Sequence, residues 1–413
     1  MSLSSVAGSA FWGRPGLAGV LAALDGAGEE ARVVGGAVRN TLLGLPVSDV
    51  DIATTALPQE ASRRAAAAGF KVVPTGIDHG TVTVVAAGRP YEVTTLREDV
   101  ETDGRRAVVR FGRSWDHDAA RRDFTINALY ARADGTVVDL VGGLADLAAR
   151  RVRFIGDADA RIREDYLRIL RLFRFHAGYG AGAMDAAALA AAARGRAGLR
   201  SLSRERVRAE LLKTLMADCA ARTCAVMSDY GLLQPLLAGI GDARALARLA
   251  AAEAGQGIAP DPVRRLAALA LRTAADVPRL HARLRLSNAE AARLAALAVP
   301  LPADLPRAAA QALIYRQGAT SVIDRALLAE AGVLRGAGGL RPVPGAAATL
   351  VEIARDWPVP RFPLAAADLM RRGLKPGPGL GAALMQAEAA WIAAGFPTDP
   401  ASLAGIADAA AGS

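Results

Sequence analysis

A chain of 413 residues with 52% apolar and 22% charged residues has the length for about two to four domains and is too apolar for global disorder. Fifty Lys and Arg against 41 Asp and Glu give a formal charge of +9, which favours a polyanionic partner. Cys219 and Cys224 are too few for a disulfide framework, and four scattered histidines (His79, His117, His176, His281) argue against a zinc site or a His-rich hydrolase centre.

Met1 is followed by no basic segment leading into an apolar stretch, so no signal peptide is expected. No apolar run approaches the ~18 residues of a spanning helix. A cytoplasmic protein without membrane contact is the expectation. The first 155 residues read as mixed α/β. Arg32 to Val34 is a short strand ending in Gly35-Gly36, and Ala37 to Leu43 is helical. Val50 to Ala53 is a second strand, before a Pro58-initiated helix to Ala68. Phe70 to Val73, Thr81 to Ala86 and Tyr91 to Leu96 have the β-branched, alternating pattern of strands. Arg97 to Ala120 is polar and charged, and a long mobile loop is expected there. Arg122 to Tyr130 reads as a helix and Val137 to Val141 as a strand.

After about Val152 strand signals vanish. Ala/Leu/Arg helices continue nearly to the end, broken near Gly178–Gly182, Gly255–Pro262, Pro300–Pro306 and Gly336–Pro344. An α/β head followed by all-α modules is the expected architecture. Between Arg150 and Lys213 stand 15 basic and 7 acidic residues, nearly the whole excess of positive charge. A solvated face is the plain reading of such a run, and a polyanion-binding neck the functional one.

Asp49 and Asp51 flank Val50. On a strand, residues two apart project from one face, so both carboxylates would point the same way. Side by side they repel unless a cation lies between them, and hard divalent ions such as Mg²⁺ take one or two carboxylates plus substrate phosphates. A strand-end turn is the competing reading. Ten residues earlier, Gly35-Gly36 leaves a strand and opens a helix, a turn that lets backbone amides approach a phosphate, with Arg39 in reach. Glu92, on a nearby strand, is either a third carboxylate or an exposed edge-strand acid. Arg121, Arg122, Asp123 and Asn127 follow, with guanidinium forks for triphosphate or ribose and an amide for a sugar hydroxyl. A local Arg122–Asp123 salt bridge is the alternative. Arg163 to Phe175 reads as one strongly buried helix on which Asp165, Arg168, Arg171 and Arg174 recur every three residues. Such residues form ordinary ion pairs, or they place an acceptor one turn before donors. Adenine and cytosine present an amino donor beside a ring-nitrogen acceptor, and guanine and uracil the reverse. An Asp/Arg pair would therefore accept A and C.

In order and spacing, Gly35 to Arg39, Asp49-Val50-Asp51, Tyr91 to Arg97, Arg121 to Ala128 and Glu164 to Arg168 closely resemble the class II tRNA nucleotidyltransferase/poly(A) polymerase family of the polymerase-β-like superfamily. Ser203 to Val207 with Glu210 to Lys213 resembles that family's next helical motif. Asp368 to Met370 and Gly373 to Gly379 resemble its C-terminal signature. Gly377 to Gly381 reads as a phosphate site or a plain inter-helix turn. The resemblance implies that Asp49 and Asp51 bind Mg²⁺, that Glu92 is the third carboxylate of the catalytic set, and that Gly35, Gly36, Arg39, Arg122, Asp123 and Asn127 surround the nucleotide. Asp165 and Arg168 would read the base of CTP or ATP, supported by Arg171 and Arg174.

The implied organisation is a nucleotidyltransferase head over 1–152, a base-reading neck over 153–215, and a tRNA-binding body and tail over 216–335 and 336–413. The implied activity is template-independent addition of CCA to tRNA, with no protein partner. The loop containing Asp103-Gly104-Arg105-Arg106 and Val108 to Phe111 is retained, which disfavours CC-only addition. Poly(A) synthesis, addition of the last A alone, and a non-catalytic RNA-binding role are the alternatives.

Overall fold

The structure, a computed structural model, describes residues 5–103, 106–302, 305–333 and 345–412, with the backbone alone for 98–103 and 106–109. The chain divides into two units, Met1–Gly239 and Ile240–Ser413.

In the first unit the strands are β1 (Ala31–Val34), β2 (Asp51–Thr54), β3 (Lys71–Gly76), β4 (Thr81–Ala86), β5 (Arg89–Thr95), β6 (Arg97–Asp103), β7 (Arg106–Phe111), β8 (Leu129–Ala131) and β9 (Val137–Asp139). Among the described residues β3-β4-β5-β2-β1-β8-β9 form one sheet, antiparallel throughout except for the parallel pair β2–β5. Every residue of β1 is buried, and Val82 and Val84 of β4 alternate with half-buried threonines, so apolar side chains line the packed face. Helices α1 (Leu17–Leu24), α2 (Gly36–Leu42), α3 (Pro58–Ala67), α4 (Trp115–Ala120) and α5 (Gly143–Ala148) accompany the sheet.

Strand register decides where chemistry can gather. Val34 pairs with Asp51 on one side and with Tyr130 on the other, and Asp51 pairs with Glu92. The Gly35 N–H donates to the Leu129 carbonyl at 2.9 Å. The turn after β1, the acid at the start of β2 and the segment before β8 therefore meet at one end of the sheet. Gly35 has φ 71°, a left-handed conformation that favours glycine.

Three expectations are corrected here. Residues 97–120 are not one long mobile loop: β6 and β7 form an antiparallel hairpin, Arg97 opposite Phe111 and Asp103 opposite Arg106, and α4 follows. Backbone pairing needs no apolar composition, so the charged sequence concealed it. Gly104 and Arg105 lie outside the described residues. Residues 122–130 are not a helix but a 3₁₀ turn, Thr125–Asn127, leading into β8. Asp123 Oδ1 accepts both the Phe124 N–H and the Asn127 amide at 2.9 Å, local bonds that compete with the helical ladder. Residues 163–175 are not one helix either. α6 (Ala158–Glu164) stops at Asp165, whose φ of −153° is extended, and α7 (Leu167–Tyr179) begins afresh. Asp165 Oδ1 accepts the Leu167 N–H at 3.0 Å, an aspartate turn that interrupts the helix.

The unit continues through α8 (Ala186–Gly195), α9 (Arg204–Leu215), α10 (Ala220–Asp229) and α11 (Leu233–Leu237). The second unit contains, among the described residues, helices and no strand. They are α12 (Ala243–Gly255), α13 (Pro262–Ala270), α14 (Asp276–Leu284), α15 (Asn288–Leu297), α16 (Arg307–Gln317), α17 (Ala319–Glu330), α18 (Ala346–Asp356), α19 (Ala366–Met370), α20 (Pro378–Ala393) and α21 (Pro400–Ala411). Three of the four expected breaks coincide with helix ends; the fourth, near 336–344, lies outside the described residues. A buried ion network joins α12, α13 and α17: Arg264 meets Glu253 and Asp324 at 2.8 Å each, and Arg265 meets Glu253 at 2.8 Å. Arg293 of α15 reaches Asp324 at 2.6 Å. Gly377 precedes Pro378 at the start of α20, between helices. No described helix is long and apolar enough to cross a membrane.

Candidate nucleotide site

A cavity of about 490 Å³ opens where the sheet end meets α7 and α9. Its wall contains Gly35, Gly36, Arg39, Asp51, Arg122, Asp123, Asn127, Asp165, Arg168 and Arg171, together with Leu167, Phe175 and Arg206. Ten candidate residues, spread over some 130 positions of sequence, thus share one cavity. Asp49, Glu92 and Arg174 are not in its wall.

Asp51 begins β2, with Asp49 exposed just before the strand and hydrogen-bonded by the Ser48 hydroxyl at 3.0 Å. β5 lies between β4 and β2, so Glu92 is on an interior strand, directly opposite Asp51. The Asp51 side chain reaches the cavity, yet surrounding protein removes enough water to push its carboxyl above the usual aspartate range. The Glu92 charge pushes it further, Arg122 opposes, and Asp49 adds to the rise. These acids are a poorly compensated negative cluster, the donor chemistry that suits a hard divalent cation. Among the described residues no group of three or more His, Cys, Asp or Glu side chains makes a preformed cage. A cation held here would complete its coordination from substrate and water.

The cationic wall is built from paired arginines. Arg122 does not bridge to Asp123; it donates to Asp118 at 2.9 Å and to the Tyr130 hydroxyl at 3.1 Å. Asp123 instead binds Arg171 at 2.6 Å. Burial pushes the Asp123 carboxyl upward, but Arg171, Asn127 and the Phe124 N–H outweigh it and hold it below the usual range. The Asn127 side chain is committed within the protein, its amide to Asp123 and its carbonyl oxygen to Arg39. Arg39 is 6% exposed, donates to Asn40 and to the Tyr179 hydroxyl at 2.8 Å each, and lies 4.0 Å over the Tyr179 ring. It ties α2 to α7 as well as facing the cavity.

The row on α7 starts outside that helix. The Arg168 guanidinium is held not by Asp165, whose carbonyl accepts only the Arg168 backbone N–H at 3.0 Å, but by Glu164 and by the Arg161 carbonyl at 2.8 Å. Arg174 binds Glu210 at 2.6 Å and lies 4.3 Å over the Phe175 ring, which Arg171 and Arg39 also approach. It supports the wall from behind. Arg206, Asp118 and Tyr179 are not among the site residues that the sequence suggests. Arg206 stood within a recognised motif, the only signal for it; Asp118 and Tyr179 carried none. A second cavity of about 540 Å³, between α7, α8 and α10, holds none of the candidates.

Residues 31–153 match the family model described as the poly(A) polymerase head domain. Residues 183–243 match that of a probable RNA and SrmB-binding site of polymerase A. The chain is 42% identical over 265 residues to the mitochondrial CCA tRNA nucleotidyltransferase 1 of Danio rerio, a match covering 63% of this chain and 61% of that protein. It is 44% identical over 221 residues to the CCA-adding enzyme of Leuconostoc citreum, covering 52% and 53%. The chain thus spans about three fifths and about half of the lengths of these curated relatives. Its fold is similar to the Bacillus stearothermophilus CCA-adding enzyme in complex with CTP, at 28% identity and a TM-score of 0.69, over 91% of this chain and 92% of that one. The Thermotoga maritima CCA-adding enzyme complexed with tRNA shares the fold at 18% identity and a TM-score of 0.62, over 94% and 93%.

Proposed function

We propose that the chain is a member of the class II CCA-adding enzyme/poly(A) polymerase family and that it adds CCA to the 3′ end of tRNA, using CTP and ATP without a nucleic-acid template. The observation that carries this reading is the sharing of one cavity by Asp51, Arg122, Asp165 and Arg168. An acid for a metal, a cation for a triphosphate and an acceptor–donor pair for a base all face the same space. Enzymes of this superfamily generally use divalent metal ions, and Mg²⁺ is the ion proposed here.

Asp49 and Asp51 would hold the metal, with Glu92 reinforcing their negative field from β5. When bound, the metal lowers the pKa of the attacking hydroxyl and neutralises charge on the departing pyrophosphate. Arg122 and Arg171 offer guanidinium donors to the triphosphate and sugar, their orientation set by Asp118 and Asp123. Gly35 and Gly36 let the backbone approach the ligand without an intervening side chain. Asp165 accepts the amino N–H of adenine or cytosine while Arg168 donates to the neighbouring ring nitrogen. Guanine and uracil would set donor against donor and acceptor against acceptor, a mismatch that costs orders of magnitude. The tRNA 3′-oxygen attacks the α-phosphorus, the bond to the β-phosphate oxygen breaks, and pyrophosphate leaves with that electron pair.

Within this proposal residues 1–152 are the catalytic head and 153–215 the neck. Residues 216–335 and 336–413 hold tRNA by its phosphates and shape. The enzyme would act in the cytoplasm. The test is to incubate the full chain and Mg²⁺ with a tRNA lacking CCA plus all four NTPs, and to sequence the 3′ ends. Ends that stop at CCA support the proposal. A long A tail, a single A added only after CC, or no incorporation would replace it with poly(A) synthesis, A-addition or a non-catalytic RNA binder respectively.

A further inference from the structure

We propose that Arg206 is the positioning residue that sets the Asp165 carboxylate for base reading, so that base choice depends on a side chain of α9 outside both the metal pair and the reading pair. This rests on the base-reading assignment above and extends it.

Asp165 is the member of the reading row that helical backbone does not hold. Arg168, Arg171 and Arg174 project from α7, whereas Asp165 lies in the extended break after α6. Its carboxylate can turn about two side-chain bonds unless contacts prevent it. Two contacts do. The Leu167 N–H donates to Oδ1 at 3.0 Å, and Arg206 Nη2 donates to Oδ2 at 2.6 Å. Each ionised oxygen has two lone-pair positions, so one on each is left for a ligand.

Arg206 is itself placed by its helix. Its backbone N–H donates to the hydroxyl of Ser203, the N-cap of α9, at 3.4 Å. One turn on, Glu210 binds Arg174 at 2.6 Å and stands 3.9 Å from Arg171. Residues four apart share a helix face. α9 therefore grips the reading row at two points with charges of opposite sign: Arg206 on the acceptor, Glu210 on the donors behind it.

Arg206 also lines the cavity, so the competing role is direct contact with the triphosphate or sugar. The two roles separate by experiment. A phosphate or sugar contact acts alike on all four nucleotides, because all four carry the same groups. A carboxylate positioner acts on the base.

The full chain with Mg²⁺ and a tRNA transcript lacking CCA is assayed for kcat and KM with CTP and with UTP. The variants are Arg206→Met, Arg206→Lys and Asp165→Ala. Arg206→Met is expected to lower the preference for CTP over UTP by about tenfold or more, mainly through KM for CTP. Arg206→Lys, which keeps a charged donor, is expected to restore much of it. An equal KM rise for CTP and UTP, with preference unchanged, overturns the proposal and makes Arg206 a general nucleotide contact. If Asp165→Ala loses preference while Arg206→Met keeps it, only the role of Arg206 fails. If Asp165→Ala also keeps it, the base-reading assignment itself fails. Half of the Arg206 side chain is exposed, so the fold is expected to tolerate its loss; Arg206→Gln gives the same reading should the Met variant not fold.

Discussion

Asp51 and Glu92 face each other across the parallel β2–β5 pair, and the field of Glu92 helps to push the Asp51 carboxyl above its usual range. Two acids in register on adjacent strands oppose folding at neutral pH unless a cation neutralises them. A sheet that retains them pays in stability for an anionic site at its end.

Asp51→Asn is expected to cost roughly a thousandfold in nucleotide incorporation, the equivalent of several kcal/mol of lost transition-state stabilisation. tRNA binding in a filter or gel-shift assay should be nearly unchanged. The same substitution should raise the thermal midpoint at neutral pH without added metal. The sign follows from the raised pKa: the folded state holds this proton more tightly than the unfolded chain. Stability is therefore lost as pH rises from the ordinary value of 3.8 through the raised one. A lower midpoint for the Asn variant would show instead that the carboxylate holds the fold together.

Arg168→Ala removes the donor of the proposed reading pair and leaves Glu164 without one of its two arginine partners. Discrimination against UTP is expected to fall by about two orders of magnitude, because a mismatched base no longer meets an opposing donor. Primer extension with single nucleotides measures it. Discrimination equal to that of the parent would remove Arg168 from the reading pair.

Removing Asp103 to Arg106 shortens the β6–β7 hairpin at its tip. Thr102 and Ala107, paired with each other in the parent, would then have to form a two-residue turn closed by Glu101 opposite Val108. Addition of the final A is expected to suffer more than addition of the two Cs, seen as accumulation of CC ends in sequenced products. Equal loss at all three steps would exclude a switching role for the hairpin.

Asp324→Ala strands Arg264, whose side chain is 4% exposed, with one of its two acidic partners gone. Breaking a buried ion pair on one side costs about 3–5 kcal/mol. Urea denaturation should show that loss in the second unit. A change within experimental error would mean that Glu253 and the Ala259 carbonyl satisfy the guanidinium without Asp324.

His176 supplies a pH test of the first unit. Burial, and then the charge of Arg222, pull its pKa below 6.5, so protonation favours the unfolded chain. The contribution is present above about 6.5 and is lost as pH falls through the lower folded value. His176→Gln should flatten the dependence of the melting midpoint over that window, and an unchanged slope would assign it to other groups.

Most of the candidate residues were legible in the sequence because the features that mark them are local. A glycine pair after a buried β run, two aspartates two apart and arginines at helical spacing carry their chemistry in their order, and ten of the residues so marked share one cavity. What the sequence could not determine was who partners whom. It offers a salt bridge to the neighbouring Asp123 only as the alternative for Arg122 and names no other partner, whereas burial and through-space distance give Arg122 to Asp118 and Asp123 to Arg171, 48 positions away. It placed Asp165 on a continuous helix, but an aspartate turn takes it off that helix and Arg206, 41 positions on, holds it. Glu92 is opposite Asp51 only because β2 and β5 pair in parallel in that register. Spacing along a chain selects which side chains share a face. Which charges are desolvated together, and so must compensate one another, depends on distances that exist only once the sheet and the helices of the first unit have packed.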